Sequence, residues 1–268
     1  MADGQQKAFN MDLNLSGKKI LITGSSRGIG SSIAKIFLDE GADIAITSRY
    51  ENNLITIANE LQSKYGESRC ISSTCDCSNI ESLENLRDFL IDKWSRIDIV
   101  IANVGDGKST QASIQTDEDW LESWNSNFET ALQTTRIFTP HLITSKGNIL
   151  FISSIAGLEA FGAPVSYSTA KSALIAFAKN IARKLANDIR VNVIAPGNII
   201  FPGGTWDEKL QSDPDQIRLL IKDTVPMNRF GTPEEIASAA AFLCSEKANF
   251  ITGSVLVIDG GQTVGIFS

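Results

Sequence analysis

The sequence predicts the α/β class, with a doubly wound parallel sheet of about seven strands covered by helices on both faces. Three observations predict it. Short apolar runs alternate with longer helical segments, the order that parallel strands need for their crossovers. The runs are continuously apolar rather than alternating, as in strands buried on both faces. No linker, repeat or low-complexity stretch divides the 268 residues, so 16–268 read as one domain behind a polar leader at 1–15.

The first run, 18–23 (KKILIT), ends at a glycine. Residues 28–40 follow at helical spacing, with Ile29, Ile33, Ile36 and Phe37 on one face and Gly41 as the stop. Residues 43–47 (DIAIT) are the second strand, 52–65 a helix closed by Gly66, and 69–75 a weaker third strand. A helix at 79–94 turns Ile80, Leu83, Leu86, Phe89 and Leu90 inward, and 97–102 (IDIVIA) is the fourth strand. A long helical region spans about 116–142. The fifth strand, 148–153 (NILFIS), leads to a helix at 165–186, and the sixth strand is 190–195 (RVNVIA). One helix near 207–223 and another at 233–244 precede the seventh strand at 254–258.

The apolar fraction of 43% and the charged fraction of 21% are ordinary for a globular chain able to bury a large core without staples. The net charge of −7 repels phosphate backbones and anionic lipid, so neither nucleic acid nor a membrane is an expected partner. No stretch is apolar enough for a signal peptide or a spanning helix, and a cytoplasmic location is expected. Cys70, Cys75, Cys77 and Cys244 form no CxxC pair and read as reduced thiols. Cys75 and Cys77 flank Asp76 but lack two further ligands, so no metal is expected. His141 is the only histidine, which removes multi-histidine metal sites and leaves a Ser-His-Asp triad one candidate base. It follows Pro140 near the end of a helical stretch and reads as a surface or cap residue.

The first strand runs into Thr23-Gly24-Ser25-Ser26-Arg27-Gly28-Ile29-Gly30. Glycines between a strand and a helix allow a tight turn and close approach of backbone to a pyrophosphate, and the helix start adds free N–H groups. The spacing is GxxxGxG, not GxGxxG. This TGSSRGIG turn resembles the cofactor loop of the short-chain dehydrogenase/reductase family, and the likeness runs from about Lys18 to Gly261. In style it is nearest to bacterial 3-oxoacyl-carrier-protein reductases, as in RFGTPEEIA and ITGSVLVIDGG. The resemblance implies a Rossmann-type fold, a nicotinamide cofactor over Gly24, Ser26, Arg27, Gly28, Ile29 and Gly30, and a homotetramer or homodimer.

Dinucleotide folds that prefer NAD place a carboxylate at the end of the second strand. Here Thr47-Ser48-Arg49 stands there, with Ser48 in the carboxylate's place. Arg49 and Arg27 suit a 2′-phosphate, since guanidinium matches its geometry, and NADP(H) is expected over NAD(H). Glu51 is the one nearby carboxylate able to reach a ribose if the loop bends back. By resemblance, Asp76 and Cys77 lie at the adenine, and Ala102-Asn103-Val104-Gly105 is the N-A-G turn at the adenosine ribose, with Val104 replacing the usual Ala.

Tyr167 and Lys171 stand four apart in YSTAK, which puts phenol and ammonium on one helix face. A nearby positive charge lowers a tyrosine pKa, so Lys171 and an oxidised nicotinamide are expected to tune Tyr167 as general acid and base. Ser154 lies thirteen residues before Tyr167, and ISSIAG…YSTAK resembles the family's serine strand and active-site helix. The resemblance makes Ser154 the group that orients the substrate oxygen and Ser153 a structural one. It also makes Asn127 the asparagine that interrupts the preceding helix and holds a water against the lysine, with Asn125 the competing choice. The implied catalytic set is Asn127, Ser154, Tyr167 and Lys171, with Tyr167 and Lys171 also meeting the cofactor.

Pro196-Gly197-Asn198-Ile199 resembles the family's turn beside the nicotinamide, with the Ile199 backbone at the carboxamide. Relatives often carry Thr two residues past that Ile; here Phe201 stands there and cannot make the bond, which leaves Thr205 as a substitute. Residues 198–227 read as a cover for a small carbonyl or alcohol substrate, with glycines and aromatics for a mobile, apolar wall. No concentrated basic patch for an acidic carrier is visible there; the resemblance nonetheless implies a 3-oxoacyl thioester, with a sugar or other small ketone or alcohol, turned over with NAD(H), as the alternative. A dinucleotide-sensing protein without turnover and a sugar-nucleotide epimerase are the readings from other classes; the intact set opposes the first and the missing C-terminal lobe the second.

Overall fold

The computed structural model describes residues 11–266. Seven parallel strands form one sheet in the order β3-β2-β1-β4-β5-β6-β7. The strands are β1 (Lys19–Ile22), β2 (Asp43–Ser48), β3 (Cys70–Thr74), β4 (Ile99–Ala102), β5 (Asn148–Ile152), β6 (Arg190–Pro196) and β7 (Val255–Ile258). Strand alternation sends neighbouring side chains to opposite faces, and both faces are covered. Ile20 and Ile22 of β1, with Ile44 and Ile46 of β2, join one core beneath α1 (Gly28–Asp39), α2 (Glu51–Tyr65) and α9 (Pro233–Cys244). Leu21, Ala45 and Val100 join the other, beneath α3 (Ile80–Trp94), α5 (Thr130–Ser145) and α6 (Val165–Leu185). That two-sided burial is why the strands read as unbroken apolar runs.

The chain leaves β1 toward β3 and then crosses back to β4. The carboxyl ends of β1 and β4 therefore part their loops in opposite directions, which opens a crevice at the switch point. Leu15, at the end of the polar leader, is buried, and Leu13 packs on the same core; residues 1–10 lie outside the described residues.

Three local expectations are corrected. Ile80 and Phe89 face outward on α3, because Leu83, Leu86 and Leu90 already fill the stripe that meets the sheet. The single helix expected near 207–223 is two, α7 (Thr205–Ser212) and α8 (Pro214–Thr224). Pro214 disfavours a helical Asp213 before it, so Asp213 leaves the helix and its carboxylate caps α8 by accepting from Gln216 N. The long region at 116–142 is α4 (Asp117–Trp124) and α5 joined by a π-helical turn, Asn125–Glu129. Cys77, expected at the cofactor, has its side chain in the core under α3 and α5.

Candidate active site

The glycine turn is stitched to both strands beside it. Ser25 is fully buried; its Oγ donates to Ile22 O at 2.7 Å and accepts from Thr47 N at 2.9 Å. Asn103, at the end of β4, donates through Nδ2 to Thr23 O (3.1 Å) and Gly24 O (2.9 Å), and its own N–H reaches Thr23 Oγ1 at 3.1 Å. Asn103 thus braces the turn itself. A Cβ on Gly30 would meet Asn103 Nδ2 and Gly24 O at 2.6 Å, so only glycine fits where α1 packs on the turn. Gly24 and Gly28 take φ of +61° and +56°, which glycine adopts without strain. Ser25 was missed by sequence reasoning; its signal was a hydroxyl directly behind the first glycine of a turn that must be tied down.

The first turn of α1 carries no acidic residue and no side-chain cap, so its N–H groups and dipole are left for an anion. Half-buried Ser26 and Ile29 lie on this turn, Ile29 with its side chain against the core. At the end of β2, Ser48 Oγ accepts from Tyr50 N at 3.3 Å, and the exposed Arg49 guanidinium lies 5.6 Å from the Tyr50 ring. Burial raises the Asp76 carboxyl, but bonds from Ser78 and the charge of Arg49 outweigh it and hold Asp76 below its usual value. Glu51 begins α2 and is exposed. Arg27 points elsewhere: its Nη1 donates to Gly203 O at 2.8 Å, toward the segment after β6. The uncapped N–H groups at the α1 start fit the diphosphate of a dinucleotide, and Arg49, with no carboxylate ending β2, stands at the ribose end.

The expected catalytic residues come together past β4 and β5. Asn127 is fully buried in the π-helical turn, whereas Asn125 is exposed, which decides between the two. Its Nδ2 donates to Asp106 O (2.9 Å) and Ser123 O (3.0 Å), and its Oδ1 accepts from Asp106 N at 3.0 Å. The extra residue of a π-turn re-aims this side chain into the loop after β4. A Cβ on Gly105 would lie 2.8 Å from Lys171 Nζ and 3.1 Å from Asn127 Oδ1, so the glycine lets the three pack together.

Lys171 is 3% exposed on α6 and donates through Nζ to Ile152 O at 3.1 Å. Burial lowers its pKa to about 8. Ser153 Oγ donates to Lys171 O at 2.9 Å, the structural part expected of it. Ser154 Oγ accepts from Ala156 N at 3.1 Å and stands beside the Tyr167 phenol, whose pKa it lowers. Lys171 Nζ lies 5.9 Å from the Tyr167 ring centroid. The expectation that Lys171 lowers Tyr167 is not met in the protein alone. Burial pushes the phenol up, Ser154 offsets part of this, and the Asp106 carboxylate raises it further. The Lys171 ammonium is turned to the Ile152 carbonyl, and burial lowers its own pKa.

The nicotinamide-side turn is tied to β7 and to the loop before α9. Pro196 is buried, Gly197 N donates to Ile258 O at 2.9 Å, and a Cβ on Gly197 would meet Asp259 at 2.8 Å. Ile199 is 7% exposed and bridges Gly231. Phe201 turns its ring onto Gly28, and Thr205 opens α7 close to Gly107. His141 is half-buried on α5, a different element from those that carry the site. Among the described residues no group of three or more His, Cys, Asp or Glu is arranged to hold a metal. No helix there is long and apolar enough to cross a membrane.

The family model described as enoyl-(acyl carrier protein) reductase matches residues 24–263. A short-chain dehydrogenase/reductase of Arabidopsis thaliana is 34% identical over 92% of this chain and 95% of its own. The 3-oxoacyl-[acyl-carrier-protein] reductase FabG of Chlamydia pneumoniae is 32% identical over 94% of this chain and 100% of its own. The L-sorbose reductase of Gluconobacter frateurii, solved with NADPH and L-sorbose, superposes with a TM-score of 0.89 at 31% identity, covering 96% of this chain and 100% of that one. With a family match across the sheet, the glycine turn and the Tyr167–Lys171 helix alike, the chain belongs to the short-chain dehydrogenase/reductase family of oxidoreductases.

Proposed function

We propose that residues 16–268 act as one NADP(H)-dependent domain that reduces a small carbonyl compound, or oxidises the matching alcohol, with Tyr167 as the proton-transferring group. The observation that carries this reading is the Ser154–Tyr167 hydroxyl pair set beside buried Lys171 on one helix face. When bound, the nicotinamide cofactor supplies or accepts the hydride. Tyr167 Oη gives a proton to the substrate oxygen in reduction and takes it back in oxidation. Ser154 Oγ fixes that oxygen within reach of the phenol. Lys171 carries its proton below about pH 8 and lends positive charge to the site as Tyr167 turns anionic. Asn127 holds the Asp106 backbone and with it the wall past Gly105.

NADP(H) over NAD(H) rests on Arg27, Arg49 and Ser48, and it agrees with the NADPH in the sorbose reductase complex. For the substrate, a sugar or other polar ketone is favoured over a 3-oxoacyl group on an acidic carrier. Asp106, Asp207 and Glu208 ring the approach, and Lys108 there is paired to Glu208 at 3.0 Å. A cytoplasmic homotetramer or homodimer is the proposed state; Phe250, fully exposed, and Leu219, 57% exposed, are apolar surface that partner copies would cover. Loss of nicotinamide absorbance, followed for ketoses, simple ketones and 3-oxoacyl thioesters with NADPH and NADH in parallel, tests the reading. Turnover of ketoses or small ketones with NADPH is expected. Turnover of thioesters alone would reverse the substrate order, and turnover of none with either cofactor would sink the enzyme reading.

A further inference from the structure

Gly28 is the turn glycine whose bare face a diphosphate would approach, and that face is covered. A Cβ built on Gly28 would lie 2.7 Å from Cε2 and Cζ of Phe201, so the far end of the phenyl ring presses on the glycine. A Cβ on Gly204, which is buried, would likewise lie 2.9 Å from Cε2 and Cζ of the same ring. The end of the ring therefore packs closely on two residues without side chains. The segment that carries it is fastened at several points. Arg27 Nη1 donates to Gly203 O at 2.8 Å, Gly203 N donates to Asp207 Oδ2 at 2.8 Å, and Gly204 N returns to Phe201 O at 3.0 Å. Lys108 pairs with Glu208 at 3.0 Å and ties α7 to the loop after β4, across the crevice.

We propose that Phe201 is a competitor built into the chain for the diphosphate position on Gly28, and that a dinucleotide must displace its ring, and with it the segment from Phe201 into α7, to bind. This rests on the dinucleotide reading above. Arg27 is the coupling element. Its guanidinium now serves a neutral carbonyl, and a phosphate offers it a charge-assisted bond about twice as strong. A phosphate that draws Arg27 away releases Gly203, so bound cofactor holds the segment over the substrate side in its displaced position. Phe201 thereby couples cofactor binding to displacement of the substrate cover: the cover opens at intervals on its own, and bound cofactor keeps it open.

The ring's cost appears as a reduced apparent affinity, since only the displaced fraction binds. Fluorescence titration with NADPH should give a Kd about tenfold lower for Phe201→Ala than for the natural protein, with Phe201→Leu between them. Stopped-flow mixing adds a readout independent of turnover. The observed binding rate should saturate with NADPH in the natural protein, because opening precedes binding, and rise linearly in Phe201→Ala. Equal or weaker binding by both variants, with no saturation in the natural protein, would overturn the inference and leave the dinucleotide reading standing. Failure of all three proteins to bind NADPH or NADH would overturn both. Should Phe201→Ala not fold, as thermal unfolding would reveal, Phe201→Leu decides by the same two readouts.

Discussion

The turn between β1 and α1 and the segment after β6 are both glycine-bearing loops at the same edge of the sheet, yet they are held in different ways. In the first, Ser25 and Asn103 spend their side chains on backbone atoms of β1, β2 and the turn itself, and a Cβ on Gly30 would strike backbone. In the second, Gly203 and Glu208 are exposed, and their partners are the ends of long charged side chains. Bonds to buried backbone are costly to break, while exposed ion pairs contribute little. The cofactor side is thus a fixed frame and the substrate side a cover whose attachments exchange easily. Function divides in the same way: the frame sets where the dinucleotide lies, and the cover is free to differ between relatives that reduce different compounds.

The largest expected effect belongs to neither loop but to the helix that serves both. Tyr167→Phe removes the transferable proton and keeps the ring, so turnover should fall about 10²–10⁴-fold while NADPH affinity changes little. Steady-state kinetics beside a binding titration separates the two, and near-normal turnover would refute the proton assignment.

The frame should then break before the cover does. Gly30→Ala forces a methyl against Gly24 O and Asn103, and Asn103→Ala strands the carbonyls of Thr23 and Gly24. Each should cost about 1–3 kcal/mol in denaturant unfolding and weaken cofactor binding as well. A loss of binding without a loss of stability would show that Asn103 acts on the cofactor directly and not through the turn.

Protonation gives a smaller and more gradual effect. Lys171 is charged below about pH 8 because burial has lowered it, and it loses that charge as pH rises. Reductive kcat/KM, which reports the free protein, should therefore be flat below about 8 and fall above it, approaching tenfold per pH unit. Tyr167 stays protonated through this window because its own pKa is raised. The charge that raises the phenol is Asp106, from the loop after β4, while Lys171 on its own helix lies 5.9 Å from the ring centroid. In Lys171→Met the limb should vanish; a limb that persists there would have to belong to another group.

The frame and the cover were also unequally legible in the sequence. Runs such as KKILIT and RVNVIA declared their strands because residues buried on both faces leave no polar interruption. The glycine turn and YSTAK declared themselves because close backbone approach and a shared helix face restrict which residue types can stand there. What failed depended on competition in three dimensions. Ile80 and Phe89 fit a helical stripe, but the sheet had room for only part of it. Arg27 and Arg49 read alike as cations, and only the fold turns one toward Gly203 and lays the other beside Tyr50. The raised pKa of Tyr167 depends on burial and on Asp106, sixty-one positions away in sequence, which no local motif records. Asp213-Pro214 carried a readable break inside the 207–223 helix, and there the chemistry was legible but overruled by apolar spacing.

The smallest predicted effect tests the cover most directly. Lys108 and Glu208 are each about half exposed, at 51% and 52%, so their pair exchanges with water on both sides. Breaking it with Lys108→Ala should lower global stability by less than about 1 kcal/mol, and a drop of the Gly30→Ala size would erase the distinction between the two loops. Local opening should respond where global unfolding does not. Backbone amides of α7 should exchange hydrogen severalfold faster in Lys108→Ala, while those of β1 and β4 keep the protection of the whole sheet. The same acceleration should appear in the natural protein when salt is raised, since an exposed pair is screened and the Asn103 bonds are not. Acceleration confined to α7 would mean that the cover opens as a unit hinged at Phe201 and Gly203, independently of the frame it rests on.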